Sequence, residues 1–368
     1  MKSQSTPRVL LLTPMFNGRD GISLVSRLAA DAISEHGYPV DVYSLCSEPY
    51  SEVPKGIRLW NAHDSRYTFA ARVAADALQS ISINCRVLAM HVHLAFTAFP
   101  LVARGAKLSV FMHGIEVWKP LRIRERMALR AASTVLANSV STVQQFCEIN
   151  SQFRDLRVEV CPLGVVPLGG PVAGSPVVSG RFALIVGRLV GESRYKGHDT
   201  LIELWPTILS QFPDFKLVIA GDGPDRPRLQ EKAAALGLHE TVHFAGLASD
   251  ETLELLYRDC EFFVMPSMAE GFGLVYLEAM RARKACIGAP GAAAAIIEDG
   301  KTGFIADPRH KDELLGALLS LIGQPQRTTQ MGIAGYERFL SNFTSEGFNN
   351  KLMAALHWND QGAATCAE

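Results

Sequence analysis

The stretch FFVMPSMAEGFGLVYLEAMRARKACIG, residues 262–288, holds one full repeat of the chain's architecture. FFVMPS (262–267) is a short apolar run of the kind that lies in a sheet covered on both faces. Gly271 and Gly273, around Phe272, break any helix that would run through them. GLVYLEAMRARK then has helical spacing, and ACIG (285–288) is apolar again. Strand, loop, helix and strand in so few residues make a βαβ unit, and such units build parallel sheets.

The same rhythm runs through the chain. RVLLLT (8–13), VDVYSL (40–45), RVLAMHV (86–92), KLSVFMH (107–113) and STVLAN (133–138) read as buried strands. Between them lie helical stretches such as ISLVSRLAADAISEHG, which ends at Gly37 as a helix C-terminus should. After GVVPLGGPVAGSPVVSG the rhythm restarts with FALIVG (182–187), KLVIAG (216–221) and TVHFAG (241–246), followed by the two strands already quoted. The Gly/Pro/Ser/Val segment, roughly 165–180, is the expected linker. A chain of 368 residues has room for two domains. The predicted fold class is therefore α/β, with two facing Rossmann-like, doubly wound domains, residues 1–167 and 168–344, and a cleft between them.

Composition excludes several classes. The net charge is −1, with no nucleic-acid signature in the whole chain. The balance is uneven: residues 1–167 carry 18 Lys plus Arg against 13 Asp plus Glu, so the first half is net positive and suits an anionic partner. The seven cysteines form no C-x-x-C pair, which fits reduced thiols in a cytoplasm. No apolar run nears the ~20 residues that span a bilayer, and the run before Pro14 is too short for a signal peptide. The expected location is cytoplasmic or peripheral at the inner face of a membrane.

In this fold class ligands bind at the carboxyl ends of the strands, so the turns there decide function. TPMFNGRDGISLV bears glycines and opens a helix at about Gly21, where backbone amides could meet an anion. It is not G-x-G-x-x-G, which counts against a dehydrogenase. In LIVGRLVGESRYKGHDTLIEL, Arg188 follows one strand and Lys196 precedes a helix, two cations that suit a diphosphate. Glu270 stands at the exit of FFVMPS, and Glu278 lies more than a turn into the helix after it. Carboxylates only accept hydrogen bonds, so this pair suits neighbouring sugar hydroxyls. The amides between them suit a phosphate.

E-G-F-G-L-x-x-L-E-A-M, preceded by G-R-L…K-G and G-D-G-P, resembles the retaining glycosyltransferases of family 4, which have the GT-B fold. The likeness is strong from about Phe182 to Pro308 and continues, weaker, through the N-terminal half. It implies that Arg188 and Lys196 neutralise a donor diphosphate, that Glu278 holds the ribose and that Glu270 contacts the donor sugar. Gly271, Phe272, Gly273, Leu274 and Val275 would meet phosphate and sugar through backbone, and Gly246 and Leu247 would lie beside the base. FMHGIEVW matches the family's H-G-x-E turn, so His113 would approach the donor sugar while Gly21 closes over the phosphates. A final helix, within 345–368, would cross back to complete the first domain. The likeness also implies retention of anomeric configuration, with a donor phosphate oxygen taking the acceptor proton. The chain departs from the family at Val166, where Asp is frequent, and at Ala295, where an acid is common.

No D-x-D occurs; Asp259-Cys260-Glu261 precedes a strand and reads as solvated, and HVH (91–93) has no further ligands grouped with it. Metal-independent chemistry without a cofactor is expected, the donor being a nucleotide-diphosphate sugar, either a UDP-sugar or GDP-mannose. Arg122, Arg126 and Arg130 fall on one helical stripe, with Ile123 and Met127 beside it. That stripe suits an anionic membrane surface or a lipid-linked acceptor; a solvated helix with an apolar core side fits the same pattern. The expected function is hexose transfer to a glycan or lipid-linked acceptor in bacterial-type polysaccharide or glycolipid synthesis. An NDP-sugar epimerase of the same architecture, or a non-catalytic nucleotide-sugar-binding protein, would share most of these residues.

Overall fold

A computed structural model describes residues 6–18, 20–47, 53–79 and 85–356. The chain divides into two compact units, Met1–Leu163 with Ser345–Glu368, and Gly164–Thr344. Each is built on one sheet, and every strand pairing in both sheets is parallel.

In the first unit the strands are β1 (Arg8–Thr13), β2 (Val40–Ser44), β3 (Ile57–Asn61), β4 (Cys85–Ala89), β5 (Lys107–Met112), β6 (Thr134–Ala137) and β7 (Glu159–Val160), in the order β3-β2-β1-β4-β5-β6-β7. The second unit has β8 (Phe182–Val186), β9 (Lys216–Ala220), β10 (Val242–Gly246), β11 (Phe262–Met265), β12 (Ala285–Gly288) and β13 (Gly303–Ile305), in the order β10-β9-β8-β11-β12-β13. Both orders are doubly wound: the chain lays strands outward in one direction, then returns to the middle and proceeds the other way. The reversal falls between β1 and β4 in one sheet and between β8 and β11 in the other. β3, β7 and β13 are absent from the strands read in the sequence, and all three are edge strands. An edge strand is open on one side, so it needs no continuous apolar run. In β3, for example, Arg58 is exposed and Trp60 only half-buried.

The segment expected to link two domains is fastened to the second unit. The Arg258 guanidinium donates to the carbonyls of Val172 (3.0 Å) and Gly174 (2.9 Å), and Arg281 donates to that of Val166 (3.1 Å). Val165 donates to the Phe343 carbonyl (3.0 Å), which places Gly164–Pro167 in the second unit rather than at the end of the first. The last described helix, Ser345–Leu356, belongs to the first unit. It packs on the helix Gly21–Glu35 and sets Phe348 against Phe111 on β5, with ring centroids 6.4 Å apart. The rest of the expected terminal helix lies outside the described residues.

Core packing fixes the frame of the second unit. Phe215 stacks on Phe262 of β11 (5.9 Å, 13°), and Tyr276 meets Phe263 edge-on (5.6 Å). The buried Tyr276 hydroxyl donates to the Met265 carbonyl at the end of β11. This bond and the edge contact fasten the helix Leu274–Arg281 to the strand before it, which fixes the loop between them at both ends.

Candidate active site

In the second unit, the loops that follow β8 and β11 flank the point where the strand order reverses, the position at which doubly wound sheets bind ligands. The β8 loop carries Arg188, passes through the 3-10 turn Gly191–Lys196, and enters the helix His198–Leu209 at Gly197. The β11 loop carries Glu270 and enters the helix Leu274–Arg281 at Gly273. Gly197 (φ 90°) and Gly273 (φ 97°) adopt the left-handed conformation, and no side chain caps either helix start. The two loops abut, since the Met268 amide donates to the Tyr195 carbonyl at 3.0 Å.

Across this contact Lys196 Nζ meets Glu270 Oε2 at 3.0 Å, both side chains being largely sheltered from solvent. The charges that the sequence assigned to phosphate and to sugar therefore hold each other here. Arg188 is exposed and makes no hydrogen bond or ion pair among the described residues, leaving its fork open to an anion. The lysine's loop is anchored by Arg194, which reaches Asp225 at 3.1 Å. Asp225 also pairs with Arg228 at 2.7 Å, and Arg228 closes on both oxygens of Asp199 on the lysine-side helix. These hydrogen bonds hold the Asp225 carboxyl down to about 2.

Beyond β8 the strand ends are lined by glycine. The Gly187 amide donates to the Ala220 carbonyl, and the Gly221 amide donates to the Gly246 carbonyl in an isolated antiparallel bridge at the end of β10. A Cβ on Gly221 (φ 142°) would stand 1.9 Å from the Gly187 carbonyl oxygen, and one on Gly223 2.3 Å from that of Leu189. The result is a glycine-lined stretch of backbone from β8 to β10, with the Lys196 side chain against Gly187 and that of Arg226 against Gly246, ending at the exposed Leu247. From β10 to β11 is three strand spacings, about 14 Å, a reach that suits an extended nucleotide.

Glu278 is the fifth residue of the helix Leu274–Arg281 and is half-buried. Its Oε2 accepts from the Tyr257 hydroxyl at 2.8 Å. Burial pushes its carboxyl above the usual range, while the tyrosine hydroxyl and nearby Arg281 work in the opposite direction. Two further groups were not singled out by the sequence. His198 Nε2, at the start of the lysine-side helix, and Ser267 Oγ, on the β11 loop, are buried with no hydrogen-bond partner among the described residues. Burial, and then the charge of Lys196, lowers the His198 imidazole to about 4, so it is neutral at pH 7. Neither residue has a local sequence signal, because an unsatisfied atom is visible only once its surroundings are known.

The first unit presents its own set. His113, just past β5, is buried; its Nε2 lies 2.9 Å from the Met90 carbonyl, an acceptor, so Nε2 carries the proton and Nδ1 is left as the basic nitrogen. Burial lowers this imidazole to about 4 as well. The His113 amide donates to Glu116 of the same H-G-x-E turn. At the helix Gly21–Glu35 the structure corrects the sequence reading. Asp20 Oδ1 accepts from the amides of Ile22 (3.0 Å) and Ser23 (3.1 Å), so these first-turn donors, expected to be open to an anion, are already capped.

In the helix Ile123–Ala131, Arg122 is the N-cap residue; Arg122 and Arg130 are exposed, whereas Arg126 is half-buried. Ile123 (65% exposed) and Met127 (43%) face outward, so they do not form the core side of this helix. Of the HVH histidines, His93 Nε2 lies 3.3 Å from Glu125 Oε1. Among the described residues, no three His, Cys, Asp or Glu side chains group as a metal site, and no helix is long and apolar enough to cross a membrane.

Residues 176–338 match the family model for glycosyl transferases group 1. Over 156 residues the chain is 35% identical to a GDP-mannose-dependent alpha-(1-6)-phosphatidylinositol monomannoside mannosyltransferase of Mycolicibacterium smegmatis, covering 40% of this chain and 41% of that protein. It is 29% identical over 265 residues to a D-inositol 3-phosphate glycosyltransferase of Nocardia farcinica, covering 66% and 56%. The chain thus spans well under two thirds of the length of both relatives. Among solved structures, Anabaena HepE in complex with UDP-glucose superposes with a TM-score of 0.76 at 19% identity, over 95% of this chain and 99% of that one. The fold is the GT-B fold of two Rossmann-like units, and the residues that match the glycosyl transferases group 1 model lie in the second unit.

Proposed function

We propose that the chain is a retaining glycosyltransferase that moves a hexose from a nucleotide-diphosphate sugar to a glycan or lipid-linked acceptor. The observation that carries this reading is the Lys196–Glu270 pair astride the reversal point of the second sheet, with the open fork of Arg188 beside it. A diphosphate arriving there offers Lys196 and Arg188 a new partner and frees Glu270 to accept hydrogen bonds from sugar hydroxyls. Leaving-group charge is met by these two cations and by the uncapped start of the helix Leu274–Arg281, so the stabilising charges are in place before the bond breaks. No metal is required in this scheme. Glu278 takes the ribose, and the glycine floor towards Gly246 and Leu247 takes the base. The matched relatives support a UDP-sugar or GDP-mannose as donor: one is named for GDP-mannose, and the Anabaena structure holds UDP-glucose.

The test is a thermal-shift panel of UDP, GDP, ADP, dTDP and NAD with EDTA present. A bound diphosphate at 100 times its Kd adds about 2.7 kcal/mol to stability. One nucleoside diphosphate should raise Tm, and Arg188→Ala should abolish the rise at the same concentration without lowering the Tm of the free protein. A response to NAD alone, or to none of the five, overturns the assignment.

The acceptor is proposed to be held at an anionic membrane surface by the helix Ile123–Ala131. Its outward face carries Arg122, Ile123, Arg124, Met127 and Arg130, while the acids of the region, Glu116 and Glu125, are buried. A face of cations and apolar side chains without carboxylates fits lipid headgroups. Each cation contributes ~1 kcal/mol near such a surface. Replacing Arg122, Arg124 and Arg130 together with Gln should therefore weaken sedimentation with anionic vesicles on the order of 100-fold. Unchanged sedimentation would remove the membrane from the proposal.

A further inference from the structure

Glu278 is set into the second unit with only one of its oxygens bound. The Tyr257 hydroxyl, on the helix Asp250–Asp259, donates to Oε2 at 2.8 Å, and Oε1 has no hydrogen-bond partner among the described residues. The tyrosine is itself fixed: its side chain is 2% exposed, and its ring packs against Phe263 of β11 with centroids 5.8 Å apart. Among the described residues its hydroxyl has one other, weaker acceptor, the Val275 carbonyl at 3.3 Å. A phenylalanine would fill the same space and make the same ring contact, so packing alone does not account for the hydroxyl.

We infer that Tyr257 is a positioning residue for the donor nucleotide: by holding Oε2 of Glu278 it presents Oε1 to the two ribose hydroxyls. The inference rests on the reading of Glu278 as the ribose acceptor. A carboxylate free to rotate would share its lone pairs between water and sugar, whereas one held at a single oxygen offers a fixed acceptor at the other. The same hydrogen bond helps keep the carboxylate ionised where burial works against it. The other charged groups near it are Arg281 on its own helix, which favours the ionised form, and Asp250 on the tyrosine's helix, which opposes it. With the hydroxyl removed, the balance shifts towards the protonated acid, which cannot accept two hydrogen bonds from a ribose as well.

The experiment measures the Kd of UDP and GDP and of their 2′-deoxy and 3′-deoxy forms. Wild type, Glu278→Ala and Tyr257→Phe are compared from pH 4 to 8. The wild type should bind the ribonucleotide of its donor base about tenfold tighter than the deoxy forms, and Glu278→Ala should abolish that difference. Tyr257→Phe should retain its cooperative unfolding yet lose most of the difference. It should also move the acid-side fall in binding to higher pH, because its Glu278 takes up a proton sooner. A Tyr257→Phe protein with wild-type ribose discrimination and an unmoved acid limb would show that the hydroxyl serves the core alone, and would overturn the inference. A Glu278→Ala protein that still discriminates ribose would overturn the reading of Glu278 itself, and the inference with it.

Discussion

Lys196→Ala is expected to slow sugar transfer about 10²–10³-fold, the usual loss when one preorganised electrostatic donor is removed from a developing anion. Two effects act together. The diphosphate loses a cation, and Glu270 loses its ion-pair partner at 3.0 Å in a site where the lysine and glutamate side chains are only 14% and 20% exposed. An unpaired carboxylate in such a place is disfavoured, so Glu270 is expected to turn towards solvent and leave its sugar-facing geometry. The double variant Lys196→Ala/Glu270→Gln separates the effects. If the pair works as a unit, adding Glu270→Gln will slow transfer by much less than it does in the wild-type background. Strictly multiplicative losses would mean that the two residues act independently. Transfer within threefold of wild type in Lys196→Ala would remove the lysine from the mechanism.

Gly221→Ala is expected to be the most damaging small substitution in the second unit. The new methyl would lie 1.9 Å from the Gly187 carbonyl oxygen at a φ of 142° that L side chains rarely adopt. Backbone must move, because the obstructing atom belongs to the chain and not to a flexible side-chain end. A loss of more than about 3 kcal/mol is expected, in the range reserved for strain and core disruption. Gly237→Ala is the control: φ is positive there as well, at 71°, but the space is open, so the loss should stay near 1 kcal/mol. Urea unfolding of both variants measures this. Equal midpoints would mean that the close approach of Gly187 and Gly221 relaxes freely. If Gly221→Ala folds, it should also bind nucleoside diphosphate more weakly, since the floor it raises is the one proposed to carry the nucleotide.

The stretch 262–288 shows what sequence alone determined. Its apolar runs, glycine hinge and helical spacing gave a βαβ unit, and repetition of that rhythm gave two doubly wound sheets, because burial on both faces of a parallel strand leaves a continuous apolar run to read. Arg188, Lys196, Glu270 and Glu278 were legible by residue type and by position after a strand. What the sequence left unread depends on atoms far apart along the chain. The edge strands β3, β7 and β13 carry no full apolar run. The 165–180 segment has a linker's composition, yet Arg258 and Arg281 bind it to the second unit. Asp20 turns an apparently open helix start into a capped one, while Gly273 leaves another without a side-chain cap. Only the tertiary structure brings Lys196 within 3.0 Å of Glu270, 74 residues on, and Tyr257 within 2.8 Å of Glu278. Residue type and local period follow from neighbouring side chains and are written in order along the chain. Which lone pair a distant donor occupies is set by packing, and no local pattern records it.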